Sequence, residues 1–316
     1  MEHNDAVPPP DADVRSRSAG VFVISLTPFD RDGAVDEPAL RTHLLRMADA
    51  GVGVYVGGGG SGEGYVLRDD ESARIFAIAA DVLRGRVPAR AMGVEPRSAA
   101  EMIAFVCRAR EAGLEAAQLY SLDPGHGRRP RPDEQEAYFR DVLDAVELPS
   151  VLSTHQSVGY FVDPALVRAL LDDYPHLVGV NVTSPDATYL VRMLDAVGGR
   201  VEVHVGGPAQ ALTALALGGT GYLVSEANLA PRTCARVVDA WRAGRLDDAA
   251  DAYRTVMELF TVTQANGGVS GIKAALTSLG HPGGVPRRPR LAVPGEWCDA
   301  IVAAVDALGL RAVESL

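Results

Sequence analysis

Short runs of strand-forming residues alternate with longer segments of helical period along most of the chain. Each run holds about five apolar or β-branched residues, and the segment after it repeats its apolar positions with the period of an α-helix. This alternation is typical of a parallel sheet whose strands are connected by helices. The predicted strands are residues 21–26, 52–56, 89–93, 115–120, 150–154, 177–181, 201–205 and 220–224.

The helical segments carry recognisable start and stop signals. Asp36 and Ser98 each precede an amphipathic segment, and Asp163 is followed by Pro164 at a first helical position. Glycines such as Gly51 and Gly113 follow the last periodic residue of a segment. Eight strand and helix units in about 200 residues predict a closed (β/α)₈ barrel, the TIM barrel.

The ends of the chain differ from this pattern. Residues 1–19 contain a proline triplet and few large apolar side chains, which predicts a disordered tail. The barrel strands and helices are then expected within residues 20–230. Residues 231–316 are expected to form the last barrel helix and a C-terminal extension of about three helices. The predicted helical segments of this last part are 231–245, 247–264, 270–280 and 295–312.

Composition excludes several classes of partner. The formal net charge of −11 argues against binding to nucleic acid or to an anionic membrane surface. No apolar run is long enough for a membrane span, and three widely spaced cysteines are typical of a reducing compartment, so a cytoplasmic protein is expected. The first turn, TPFDRDG, lacks a dinucleotide fingerprint, and we expect no cofactor.

Lys273 is the only lysine in this sequence, so it carries the only side-chain amine that could act as a nucleophile. It lies in the segment SGIKAAL, which is predicted to be a helix outside the barrel wall. We expect its ammonium group to pair with a carboxylate or carbonyl and to keep its ordinary pKa.

Chemistry in a barrel of this type belongs to the loops that follow the strands. The second strand is followed by GGSGEG, and the chain also contains SLTPF, SEAN and GIKAAL in order. This arrangement, over about residues 20–312, resembles the dihydrodipicolinate synthase and N-acetylneuraminate lyase family of aldolases. The resemblance implies that the turn holding Gly60 and Ser61 binds the carboxylate of a small ligand, with a family hydroxyl missing at Gly60. It also implies a homotetramer or homodimer.

The sixth strand departs from the family at the residue that defines its chemistry. The family carries a lysine there that forms a Schiff base with a 2-oxo acid, whereas this sequence has Gly179-Val180-Asn181. An amide cannot form an imine with a ketone, so this covalent step is not available. The family's tyrosine on strand five, an arginine a few residues later, and a Tyr-Tyr pair after strand four are also replaced. Their replacements are Leu152-Ser153-Thr154, Val158 and Asp123-Pro124.

Several polar residues remain at the predicted mouth. The catalytic candidates are His155 as a base, Glu95, Ser153 and Asn181, with Asn181 or Ser61 stabilising an oxyanion. The candidates for binding a ligand are Gly60, Ser61, Thr154 and Asn181. Glu63 is expected to hold the shape of its loop, and His204 is expected to be a buried core histidine. Further polar candidates are Asp123, His126 and Glu226, and no set of residues matches a known metal-ligand spacing.

Two functions are compatible with these residues. The first is a divergent lyase, an aldolase or dehydratase acting on a small carboxylate or carbonyl compound without a Schiff base, and neither dihydrodipicolinate synthase nor sialate lyase. The second is a non-catalytic member that binds a ligand or serves as a structural partner. Loss of three catalytic groups together is what relaxed selection would also produce.

Overall fold

The computed structural model describes residues 19–316, and these form the predicted closed barrel of eight parallel strands in sequential order. All but the last residue of the predicted N-terminal tail lie outside the described residues. Adjacent strands pair in parallel all round, and β8 closes the barrel on β1. The strands are β1 (Val21–Ile24), β2 (Gly53–Val56), β3 (Ala89–Ala91), β4 (Ala116–Leu119), β5 (Ser150–His155), β6 (Leu177–Thr183), β7 (Glu202–Gly206) and β8 (Gly221–Val224).

A helix follows each strand and packs its apolar side on the outside of the barrel. The predicted N-caps of three helices are confirmed, since the side chains of Asp36, Ser98 and Asp163 accept backbone N–H groups of the first turn. The helices are α1 (Glu37–Asp49), α2 (Asp69–Leu83), α3 (Ala99–Glu111), α4 (Pro132–Ala145), α5 (Pro164–Asp173), α6 (Ala187–Val197), α7 (Ala211–Ala216) and α8 (Pro231–Arg242).

The C-terminal extension contains one helix more than the pattern predicts. The expected single helix over residues 295–312 is divided at Gly309, which has a φ of 66° and begins a short final helix. A left-handed residue interrupts the helical hydrogen bonds, and glycine adopts this conformation without a steric cost. The helices are α9 (Leu246–Ala265), α10 (Val269–Ser278), α11 (Gly295–Ala307) and α12 (Leu310–Glu314).

The extension has a small apolar core of its own, formed with the loops at the C-terminal ends of β1 and β8. Leu26 and Leu229 from those loops pack with Leu259, Ile272 and Ile301 from the extension. The extension therefore covers part of the barrel rim. Within residues 19–316, no helix is long and apolar enough to cross a membrane.

A buried histidine beneath this rim makes stability dependent on pH. His43 on α1 is 1% exposed, and its Nε2–H donates to Asn228 Oδ1 at 2.9 Å. Burial lowers the pKa of His43 to about 4, from an ordinary value of 6.5. Below the ordinary value the unfolded chain binds more protons than the folded protein, so this contribution is present at neutral pH and is lost as the pH falls towards 4.

We expect His43 to account for about 3 kcal/mol of the free energy of unfolding lost over this pH range. Urea unfolding at several pH values measures the effect. The variant His43→Gln should have a shallower pH dependence than the unsubstituted protein. Substitution of the exposed His126 by glutamine is the control and should leave the slope unchanged. Equal slopes for His43→Gln and the unsubstituted protein would contradict the assignment.

Candidate functional site at the barrel mouth

Asn181 lies inside the barrel and is 2% exposed. Strand β6 continues two residues beyond it to Thr183, so the predicted end of the strand at Asn181 is wrong. Its Nδ2 donates to Gln118 Oε1 on β4 at 2.6 Å, and contacts the Tyr55 hydroxyl on β2 at 3.4 Å. Because β2 and β4 are not neighbours of β6 in the sheet, these contacts cross the interior of the barrel. The amide is therefore fixed by residues from two other strands.

A charged pair that was not predicted from the sequence lies in the same interior. Arg90 on β3 forms an ion pair with Glu202 on β7, and these residues are 8% and 4% exposed. Arg90 Nη1 also donates to the Tyr55 hydroxyl at 3.2 Å, and its guanidinium lies 4.3 Å from the centre of the Phe22 ring. One signal in the sequence could have revealed this pair. Each of two otherwise apolar strands contains one charged residue, and the two charges are opposite in sign. Such buried charges are rare unless they are paired.

His155, Ser157 and Glu95 form a second polar group at the ends of β5 and β3. The Ser157 hydroxyl donates to Glu95 Oε1, and the Ser157 backbone N–H donates to His155 Nδ1 at 3.0 Å. The structure thus links the predicted His155 and Glu95 through a residue that sequence reasoning did not single out. Burial lowers the pKa of His155, and nearby Glu95 opposes this effect.

The position of the proton on His155 follows from these contacts. A neutral imidazole that accepts at Nδ1 carries its hydrogen at Nε2. The ring therefore offers a hydrogen-bond donor to a ligand, rather than the free lone pair expected of a general base. In this tautomer, the geometry favours a role for His155 in polarising an oxygen atom of the ligand.

Ser153 and Thr154 point to opposite sides of β5, as successive residues of a strand do. Ser153 is the register partner of Asn181 and shares its inward face. The Thr154 hydroxyl instead contacts the Tyr189 hydroxyl on α6 at 2.9 Å and accepts the Val162 N–H. The structure brings Ser153 to the interior with Asn181 and places the side chain of Thr154 between the barrel and a helix.

The glycine-rich turn after β2 also lies at the mouth. Ser61 is buried, whereas Gly60 is exposed and a Cβ added to it would lie 3.8 Å from Ile24 Cδ1. Gly57 needs its positive φ of 80°, and a side chain at Gly64 would overlap the Gly57 carbonyl. The turn follows directly from β2, the strand that carries Tyr55, and the Tyr55 hydroxyl contacts Asn181. Ile24 on β1 is the register partner of Tyr55.

Lys273 is buried on α10 of the extension, where its contacts confirm one expectation and its pKa corrects another. Its Nζ donates to the Thr27 carbonyl at 2.7 Å and to the Val285 carbonyl at 3.0 Å, and it forms an ion pair with Glu63. The predicted pairing is confirmed, but the expected ordinary pKa is wrong, since burial lowers the pKa of Lys273 to about 8 against the opposing effect of Glu63. All three ammonium hydrogens have acceptors.

Glu63 has the structural role that the sequence predicted. Its second oxygen accepts the Arg287 backbone N–H at 3.0 Å, so the carboxylate ties the glycine-rich turn to the C-terminal extension. Glu63 itself has a φ of 54°, an unusual conformation for a residue with a side chain. The ion pair with Lys273 helps to hold it there.

The remaining polar candidates have local partners. Asp123 forms an ion pair with Arg97, and His126 lies on an exposed loop. Glu226 is buried beneath α9 with Thr263, and burial raises its pKa. His204 is a core histidine as predicted, with Nε2 2.8 Å from the Ala19 carbonyl oxygen. Among the described residues, no three His, Cys, Asp or Glu side chains are grouped to hold a metal ion.

The comparison with known proteins agrees with this architecture. A model of the dihydrodipicolinate synthetase family matches residues 17–308. The chain belongs to that family. Among its relatives, the 4-hydroxy-tetrahydrodipicolinate synthase of Methanopyrus kandleri is 28% identical, over 85% of this chain and 89% of the relative. The corresponding synthase of Rhodospirillum centenum is 30% identical, over 92% of this chain and 98% of the relative.

A solved structure with a ligand also resembles this chain. YagE, a prophage protein of the dihydrodipicolinic acid synthase family from E. coli K12, was solved in complex with pyruvate. It is 26% identical to this chain, with a TM-score of 0.84, and the alignment covers 92% of this chain and 99% of YagE. Membership of the dihydrodipicolinate synthetase family therefore extends over almost the whole described barrel and its extension.

Proposed function

We propose that this member of the family is a lyase-type enzyme that acts on a small carboxylate or carbonyl compound without a Schiff base. The observation that carries the proposal is the interior position of Asn181, where an amide is held among the polar groups Ser153, Gln118 and Tyr55. The only lysine is buried elsewhere, in contact with Glu63. Aldol, retro-aldol or dehydration chemistry would then depend on hydrogen bonding and proton transfer.

Each group at the mouth has a proposed role. Ser61 and the amides of the glycine-rich turn would bind the carboxylate, since exposed backbone N–H groups and hydroxyls suit an anion. His155, with its hydrogen at Nε2, would polarise a hydroxyl or carbonyl oxygen of the ligand. Glu95, which is hydrogen-bonded to Ser157, would be the nearby carboxylate that accepts a proton.

Calorimetry with a panel of small oxo acids, hydroxy acids and aldehydes tests the binding site. We expect Ser61→Ala to weaken carboxylate binding by about tenfold, the loss of one hydrogen bond to a charged group. Ser150→Ala is a matched control, since Ser150 is also buried but lies at the opposite end of β5, where its hydroxyl donates to the Leu148 carbonyl. If no compound in the panel binds, the proposal fails.

Turnover distinguishes an enzyme from a protein that only binds its ligand. Bound compounds can be followed by proton NMR for loss of water or cleavage of a carbon–carbon bond. We expect His155→Gln to slow turnover more than binding, because the hydrogen bond strengthens as charge develops on the ligand oxygen. Binding without any turnover would favour the non-catalytic alternative.

We also propose a homotetramer or homodimer in the cytoplasm. The resemblance to the family motivates the assembly, and three cysteines without disulfide bonds suit a reducing compartment. Light scattering at micromolar concentration tests the assembly, and a monomer would contradict it.

A further inference from the structure

One oxygen atom in the barrel interior has no hydrogen-bond donor. Asn181 Oδ1 is buried, and it accepts no hydrogen bond from residues 19–316. The Nδ2 of the same amide contacts Gln118 Oε1 and the Tyr55 hydroxyl. An amide nitrogen carries two hydrogens, so these two acceptors account for both of them. The free hydrogen-bonding group of Asn181 is therefore an acceptor.

The charged pair below Asn181 contacts the same phenol oxygen as the amide. A guanidinium group can only donate hydrogen bonds, so the Tyr55 oxygen must act as an acceptor towards Arg90. The same oxygen has a second lone pair, which can accept one hydrogen of the Asn181 amide. Glu202 holds Arg90 in place from the opposite side of the barrel. Tyr55 is thus a positioning residue that connects the ion pair to Asn181.

We infer that the site recognises a small hydroxy acid through a hydroxyl group donated to Asn181 Oδ1. This inference rests on the proposed binding of a carboxylate at the mouth and narrows its substrate class. The oxygen of an oxo acid has no hydrogen to offer, and it would face Oδ1 as a second acceptor. A site whose buried acceptor needs a donor discriminates against ligands that lack one, because the acceptor stays unpaired.

Burial beside an ion pair that is already complete favours a neutral donor over an ammonium group. Arg90 donates to the same Tyr55 oxygen that contacts Asn181, which places its guanidinium close to the amide. An ammonium group at this position would lose its hydration on burial, and the Glu202 carboxylate is already paired with Arg90. A hydroxyl group meets the need of Oδ1 without adding charge.

Asn181 is almost completely shielded from solvent, so a ligand reaches Oδ1 only if a side chain at the mouth moves. Gln118, which accepts from the Asn181 amide, is also 2% exposed.

Calorimetry with matched pairs of acids tests the inference. The probes are both enantiomers of lactate against pyruvate, 3-hydroxybutyrate against acetoacetate, and alanine as the ammonium counterpart. In the unsubstituted protein we expect one hydroxy acid to bind at least about tenfold more tightly than its oxo partner. In Asn181→Leu, which has a similar volume but no acceptor, the ratio should fall close to one.

The variant Tyr55→Phe tests whether Tyr55 positions the Asn181 amide or only contributes to the stability of the fold. Loss of the phenol oxygen frees one N–H of Asn181, so the amide can then donate to an oxo acid. We expect the ratio of hydroxy-acid to oxo-acid affinity to fall severalfold, whereas a structural effect of Tyr55 would weaken both ligands equally. Thermal unfolding of each variant checks that it is folded at the temperature of the titration.

Each result decides between the alternatives. An oxo acid that binds as tightly as its hydroxy partner, or more tightly, would overturn the inference and leave the proposed carboxylate site intact. If alanine binds more tightly than lactate, the inference that the donor to Asn181 Oδ1 is a neutral hydroxyl group is overturned. If none of the acids binds, the proposed function fails and the inference fails with it. Equal weakening of all bound acids in Ser61→Ala would support the carboxylate site independently of Asn181.

Discussion

Asn181→Lys should form a covalent adduct with pyruvate that borohydride traps, whereas the unsubstituted protein should form none. The new amine would lie in the barrel interior, close to the Arg90 guanidinium, which contacts the same Tyr55 oxygen. Burial lowers the pKa of an amine, while Glu202 offsets the charge of Arg90, and a neutral amine is the form that attacks a ketone. Intact-protein mass spectrometry after treatment with pyruvate and borohydride measures the adduct.

The unsubstituted protein is the first control, since the only amines it offers are Lys273 and the N-terminus. Lys273 donates all three hydrogens to buried acceptors, so its nitrogen has no free lone pair. Asn181→Met is the second control, because it changes the size of the side chain without adding an amine. An adduct that peptide mapping assigns to Lys273 would restore a relocated Schiff base. No adduct in a folded Asn181→Lys variant would show that this position does not meet the carbonyl of pyruvate.

Arg90→Met should destabilise the protein by about 3–5 kcal/mol, because it leaves the Glu202 carboxylate buried without its partner. The double variant Arg90→Met/Glu202→Leu should recover most of this loss, since an apolar pair of similar volume removes both charges. Urea unfolding of the two single variants and the double variant gives the coupling free energy of the pair.

An exposed ion pair supplies the matched control for this experiment. Arg41 and Asp81 are 39% and 68% exposed at their side chains, so Arg41→Met should cost less than about 1 kcal/mol. A similar cost for Arg90→Met and Arg41→Met would mean that the interior pair is solvated in solution. A double variant as unstable as the single Arg90→Met variant would show that packing, rather than unpaired charge, causes the loss.

The strands and helices were predictable because their signals are local. A run of β-branched residues and an amphipathic segment are each complete within a few residues, and eight repetitions indicate a barrel. Capping residues such as Asp36 and Ser98 also act on their own first turn. The extra break in the extension at Gly309 was less visible, because a glycine within an amphipathic segment does not by itself show that the helix ends there.

That Asn181 cannot form an imine was determined by the sequence alone, since the chemistry of an amide side chain excludes an imine whatever the fold. The contacts that decide what Asn181 can do came only from the tertiary structure. Tyr55, Gln118 and Arg90 lie on three other strands, and closure of the barrel brings them to the amide. The two contacts of the Asn181 amide span 126 and 63 residues, and short-range patterns carry no information on such pairings.

Burial of charge likewise depended on the tertiary structure. The sequence showed that Lys273 is the only lysine, but not that the extension folds back over the rim and brings it to Glu63, 210 residues away. The tautomer of His155 also followed from one backbone contact with Ser157. The sequence by itself determined the barrel and the absence of an amine at Asn181, because periodicity and functional groups are properties of the residues. The tertiary structure decided which polar atoms of Asn181, His155 and Lys273 remain free to act, because hydrogen-bond partners and desolvation depend on neighbours distant in the chain.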